Sequence, residues 1–166
     1  MLKVTEYFAE REKTKGRFVW KVMVSQLVRL AHYPLGMLWI PSQKALNEGT
    51  LYYARLGFTN IETFRRFIEF KGELYRVSGR PDLINKGILY ELKTYQYDKK
   101  KQIEIGWAQI MYYTWLTGLI DQRLVLFYRP TKKIVEMARV VTLKEAEKEV
   151  KRGLESYRLL RRIKSS

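Results

Sequence analysis

The chain has 166 residues, 46% hydrophobic and 14% aromatic, which is enough apolar material for one domain (1–166) with a real core and excludes a disordered chain. Its net charge of +15 and pI near 10.0 point to a polyanionic partner, nucleic acid ahead of a membrane surface. With no cysteine and a single histidine, His32, disulfides, thiolate zinc sites, cysteine-ligated iron–sulfur clusters and multi-histidine metal sites are excluded.

From the N-terminus, Met1 to Glu12 is acidic early and lacks the apolar core of a signal peptide. No apolar run approaches the roughly 18 residues of a membrane span, so an intracellular, cytoplasmic protein is expected. The many charges and absent cysteine suit a thermophilic source. Thr5 to Lys13 is predicted as a short helix stopping near Gly16, and Arg17 to Val24 as a strand. Ser25 is a good N-cap for a helix from Gln26 to His32, ended by Tyr33-Pro34. Pro41-Ser42 opens a second helical segment to about Leu56, with Gly57 as its C-cap.

Glu62 to Phe70 and Glu73 to Ser78 read as strands around a Lys71-Gly72 turn, although Ile61 to Ile68 also fits a helix. They lead into the stretch Gly79 to Thr94, two short strands joined by Asn85-Lys86-Gly87, so the whole is expected to be an antiparallel meander. The turn brings Asp82 and Glu91 close despite their separation. Alternation along the second strand puts Glu91 and Lys93 on one face and Leu92 on the other. Two adjacent carboxylates repel unless a cation lies between them, and hard ions such as Mg²⁺ take one or two carboxylates plus waters. A lysine beside such an ion is placed to orient or deprotonate a bound water.

After a basic connection from Asp98 to Lys101 comes a helix over about Lys100 to Leu116, closed by Gly118. Ile103, Trp107, Ile110, Met111 and Thr114 are expected to face the sheet. Gln109 and Tyr113, four apart, share a neighbouring stripe. Arg123 to Arg129 and Ile134 to Val141 form a hairpin around Pro130-Thr131. Thr142-Leu143-Lys144-Glu145 is a capping box for a last helix to about Ile163. That helix presents Leu143, Ala146, Val150, Leu154 and Tyr157 on one face. Arg158, Arg161, Arg162 and Lys164 crowd its end, where they either complement the helix dipole or meet nucleic acid.

Three features in this order resemble the PD-(D/E)XK nuclease superfamily, RecB-type nucleases in particular: Val24-Ser25-Gln26-Leu27 with Arg29, then Pro81-Asp82 with Glu91-Leu92-Lys93, then Gln109-x-x-x-Tyr113 on the following helix. The resemblance extends to the RecB-like nucleases of CRISPR adaptation, without the cysteines that hold an iron–sulfur cluster there. It implies an α/β fold with a restriction-endonuclease-like core, a mixed central β-sheet flanked by helices. It implies Mg²⁺ or Mn²⁺ held by Asp82, Glu91 and the Leu92 main-chain carbonyl, with Lys93 serving the attacking water. Gln109 and Tyr113 would lie beside the metal and hold the nucleic acid with Arg80. Where the family carries Gly-x-x-His, this chain has Gly49-Thr50-Leu51-Tyr52. A neutral phenol is a poor metal ligand. Glu48, one helical turn before Tyr52, is the candidate replacement oxygen; the alternative is a solvated glutamate and a core tyrosine.

The expected function is a metal-dependent hydrolase of DNA phosphodiester bonds. The alternative is a nucleic-acid-binding protein on the same scaffold with little or no catalysis. The sequence leaves open DNA against RNA, endo- against exonuclease action, homo-oligomerisation and protein partners.

Overall fold

The computed structural model of the chain describes residues 11–14, 17–33, 51–58 and 62–165. Two four-stranded mixed sheets carry an α/β fold with helices against them. The first has the order β1-β2-β4-β3 and is built from β1 (Arg11–Thr14), β2 (Arg17–Met23), β3 (Phe64–Phe70) and β4 (Glu73–Gly79). The second has the order β5-β6-β7-β8 and is built from β5 (Leu83–Asn85), β6 (Ile88–Tyr95), β7 (Asp121–Tyr128) and β8 (Lys133–Val140). Each sheet has one parallel pair at its centre, β2 with β4 and β6 with β7, and antiparallel pairs outside it. The helices are α1 (Val24–His32), α2 (the helical residues 51–55), α3 (Lys99–Thr117) and α4 (Leu143–Ser165).

The helix-flanked mixed sheet expected from the sequence is present, but the single antiparallel meander is not. β4 lies parallel to β2, with Val22 opposite Val77, and β5 begins a second sheet. Pro81 stands at the break, where its missing N–H cannot extend a ladder. Within the sheets local chemistry decides. Lys86 and Gly87 have φ of 50° and 75°, the double left-handed turn that suits the twist of a two-residue hairpin. Leu124, Val125, Leu126 and Phe127 are buried in succession, as in a strand covered on both faces.

The N-terminal helix expected over Thr5 to Lys13 is contradicted at its end, where residues 11–14 pair with β2 as a strand; residues 1–10 lie outside the described residues. α1 starts at Val24, so Ser25 is not its N-cap. Instead the Gln26 side chain accepts the Met23 amide at 2.9 Å. Of the helix expected from Pro41, only the end at 51–55 is described, with Gly57 at φ 81° just beyond it. α4 opens with the expected capping box: Thr142 N–H donates to Glu145 Oε2 at 2.7 Å and Glu145 N–H to Thr142 Oγ1 at 3.1 Å. Its buried stripe is Ala146, Val150, Leu154 and Tyr157, while Leu143 is exposed. Two of its terminal arginines turn inward to β4. Arg158 and Arg161 meet Glu73 at 3.5 and 2.5 Å, and Arg161 lies 4.1 Å over the Trp20 ring.

α3 organises the core. Asp98 caps its start by accepting the Lys101 amide at 3.3 Å, and Gly118 ends it at φ 79°. Ile110 and Thr114 are buried as expected, but so are Ile105, Ala108, Tyr112, Tyr113 and Trp115. Trp107 instead lies beneath the Arg139 guanidinium at 3.9 Å. No single stripe describes this helix because it touches α1, α4 and both sheets. Between α1, α3 and α4, His32 meets Glu104 through Nδ1 at 2.8 Å and Glu149 through Nε2 at 2.7 Å. No described helix is long and apolar enough to cross a membrane.

Candidate active site

Asp82 sits immediately before β5, and Glu91 is in the middle of β6. The hairpin register, with Leu83 opposite Tyr90, brings the two residues together. Glu91 is buried, its Oε1 3.1 Å from the Lys93 ammonium, and its Oε2 is buried with no hydrogen-bond partner. Asp82 accepts the Leu92 amide at 2.8 Å. Burial, and then the neighbouring Asp82 charge, push the Glu91 carboxyl well above the ordinary range, with Lys93 opposing. Asp82 is also raised by burial, against the pull of Lys93, the Leu92 amide, a side-chain hydrogen bond with Glu91 and Arg80. Two adjacent carboxylates, one of them buried, face one close ammonium and the more distant, exposed Arg80.

α3 closes over this pair because two glycines let it. A Cβ on Gly106 would meet Leu124 Cδ1 at 2.5 Å and Lys93 Cγ at 3.2 Å. A Cβ on Gly79 would meet Val24 Cγ2 at 2.6 Å and Tyr113 Cε1 at 2.9 Å. Tyr113 therefore reaches the site. Its phenol pKa is raised by burial and by the Glu91 and Asp82 charges, and Arg80 opposes the shift. Gln109 lies on the same side of α3, between Gly106 and Tyr113, and its Oε1 is buried without a partner. Arg80 is exposed at the rim. Asp82, Glu91, Leu92, Lys93, Tyr113 and Arg80, dispersed over two elements and a loop, are thus brought together, with Gln109 on the same side of α3 as Tyr113.

Tyr52 does not join them. Its ring packs on Phe127 with centroids 4.7 Å apart, in the apolar cluster on the far face of β6 and β7. The next residue, Tyr53, donates its hydroxyl to the Leu92 carbonyl. Burial and the charges of Asp82 and Glu91 hold the Tyr53 phenol well above its ordinary pKa. Sequence reasoning missed Tyr53; the only signal was its place beside Tyr52, and one residue of helix turns a side chain by about 100°. Glu48 lies outside the described residues.

The oxygens here suit a hard divalent cation: two carboxylates, one with an orphaned oxygen, a peptide carbonyl and the unpaired Gln109 Oε1. Among the described residues no three His, Cys, Asp or Glu side chains are placed to hold a metal ion together, and with one histidine and no cysteine the chain offers no soft site.

Among solved structures, the chain is similar to SSO0001, with a TM-score of 0.63 at 21% identity over 95% of this chain and 81% of that one. It also aligns with a phage-related exonuclease from Haemophilus somnus 129PT, with a TM-score of 0.47 at 12% identity over 82% and 79% of the two chains. An alkaline exonuclease from Laribacter hongkongensis aligns with a TM-score of 0.46 at 15% identity over 87% and 92%. The first of these likenesses shows a shared fold. No protein-family model and no curated protein matches the chain.

Proposed function

We propose that the chain is a RecB-like PD-(D/E)XK nuclease that hydrolyses DNA phosphodiester bonds with Mg²⁺ or Mn²⁺. The observation that carries this reading is the Asp82–Glu91 pair, with Glu91 buried beside Lys93 and its Oε2 accepting no hydrogen bond. A fold bearing such a pair for stability alone would gain from neutralising it, since an uncompensated buried charge is costly. Asp82, Glu91 and the Leu92 carbonyl would hold the cation. When bound, the cation polarises the phosphate and lowers the pKa of a water. Lys93 orients the attacking water and offsets charge that develops on the phosphate oxygens. Gln109 supplies an amide donor to phosphate, and Tyr113 and Arg80 steady the backbone. The net charge of +15 draws the polyanion in.

The test is cleavage of labelled single- and double-stranded DNA with Mg²⁺, Mn²⁺ or EDTA. Metal-dependent cleavage that disappears in Asp82→Ala and Glu91→Ala is expected, while Lys93→Ala should fail in turnover more than in metal binding. Full activity of either carboxylate variant would sink the assignment.

One observation favours a second reading, a nucleic-acid-binding protein with little catalysis: the Tyr53 hydroxyl is bonded to the Leu92 carbonyl, a donor the cation would use. Binding without cleavage under any divalent metal would select it.

A further inference from the structure

β6 continues past the candidate site and ends in a groove that the proposed chemistry does not use. After Lys93 the chain reads Thr94-Tyr95-Gln96-Tyr97. Gln96 and Arg129 together wall two adjoining cavities, of about 320 Å³ and about 360 Å³. Tyr52, Arg55 and Pro130 line the first, on the far face of β6 and β7, and Tyr95, Tyr97, Asp98 and Lys101 line the second. Alternation puts Tyr95 on the strand face of Glu91 and Lys93, so the second cavity starts where the candidate site ends and the first continues round the strand end.

Two features of this groove contribute little to the stability of the isolated fold. The Tyr97 ring is 79% exposed and gains little from folding. Beside it, Tyr95 and Tyr128 stack at 5.3 Å with a 40° tilt. Lys99 and Lys100, both exposed, stand in the first turn of α3, where the nearby carboxylates are Asp98 at the cap and Glu104, which Lys101 meets at 3.4 Å. The positive pole of the helix disfavours cations in that turn. A polyanion reverses the sign of that interaction, and an aromatic base covers the exposed ring.

We propose that this groove binds single-stranded nucleic acid, with unpaired bases on Tyr97 and Tyr95 and phosphates beside Arg55, Arg129, Lys99 and Lys100. Tyrosine faces reward bases that are free to stack, whereas a duplex hides its base faces within its own stack. Cavities of this size take one or two nucleotides and not a double helix. That the strand then leads to Lys93 rests on the nuclease reading; that the groove binds single strands does not.

The test is fluorescence anisotropy in EDTA, with a short oligothymidylate, an abasic strand of the same length and a blunt duplex. The native chain should bind oligothymidylate most tightly. Tyr97→Ala should weaken that binding roughly tenfold and leave the abasic strand unaffected, while Tyr97→Phe retains it. A Lys99→Glu, Lys100→Glu double variant should weaken both strands and reduce the salt dependence. Tyr97 and the two lysines are exposed, so these variants keep the fold, which their melting curves check. Unchanged oligothymidylate binding by Tyr97→Ala, or a duplex bound as tightly as the single strand, overturns the proposal. Because no metal is present, a failure of cleavage leaves this measurement untouched.

Discussion

The Asp82 carboxylate accepts the Leu92 amide hydrogen at 2.8 Å, in place of a backbone partner. The β5–β6 ladder stops at Leu83 and Tyr90, and two residues further in register Leu92 would face Pro81, which has no N–H. Both main-chain groups of Leu92 therefore turn to side chains, the amide to Asp82 and the carbonyl to Tyr53. Asp82 finishes the sheet as well as supplying a charge to the site.

Asp82→Asn and Asp82→Ala should separate these two tasks. The asparagine carbonyl still accepts the Leu92 amide, so its unfolding free energy should match or exceed that of the native chain. Alanine orphans the amide and should cost about 1–3 kcal/mol. Urea unfolding measures both, and neither variant should cleave DNA. Equal stability of the two would show that the Leu92 bond contributes nothing.

Glu91→Gln should raise the melting temperature in EDTA, because burial and the Asp82 charge already hold the Glu91 carboxyl toward its neutral form. The native chain should gain stability on adding Mn²⁺ or Mg²⁺, since a ligand of the folded state alone shifts unfolding by mass action. The glutamine variant should lose that gain. Thermal scans with and without metal decide it.

Tyr53→Phe removes the donor from the Leu92 carbonyl and so frees that oxygen for a cation. The metal concentration giving half-maximal cleavage should fall severalfold. Tyr52→His should leave that concentration unchanged and cost about 1–3 kcal/mol of stability, because Tyr52 packs against Phe127. A Tyr52 variant that altered the metal titration while Tyr53→Phe did not would reverse these roles.

His32 should make stability pH-dependent. Its pKa is raised from 6.5 by the hydrogen bond to Glu149, against burial, with Glu104 adding to the rise and Arg152 opposing it. Its contribution is then complete below 6.5 and lost as pH climbs through the raised value. Glu149, lowered from 4.5 chiefly by His32, contributes above 4.5 and loses that contribution as pH falls through its lowered value. Glu104, with Lys101 beside it, shifts the same way. As pH rises from 6.5 through the raised value, the native chain should lose stability relative to His32→Gln. Parallel pH profiles of the two proteins would contradict this.

The sequence by itself determined whatever depends on near neighbours. The Asn85-Lys86-Gly87 turn forced the hairpin that joins Asp82 to Glu91. Alternation put Glu91 and Lys93 on one face. Gly118 ended α3, and Thr142 with Glu145 opened α4. The Gln109 and Tyr113 spacing placed both on one side of α3. Only the tertiary structure decided what distant segments do to one another. The parallel pairings β2–β4 and β6–β7 divided the expected meander into two sheets, and no local pattern encodes which strand a neighbour will be. Burial of α3 by two helices and two sheets erased the single apolar stripe its spacing suggested. The choice of Tyr53 over Tyr52 at the Leu92 carbonyl depends on how a helix is rotated against a strand about forty residues away. That rotation is set by packing on Phe127, which periodicity within the helix cannot reveal.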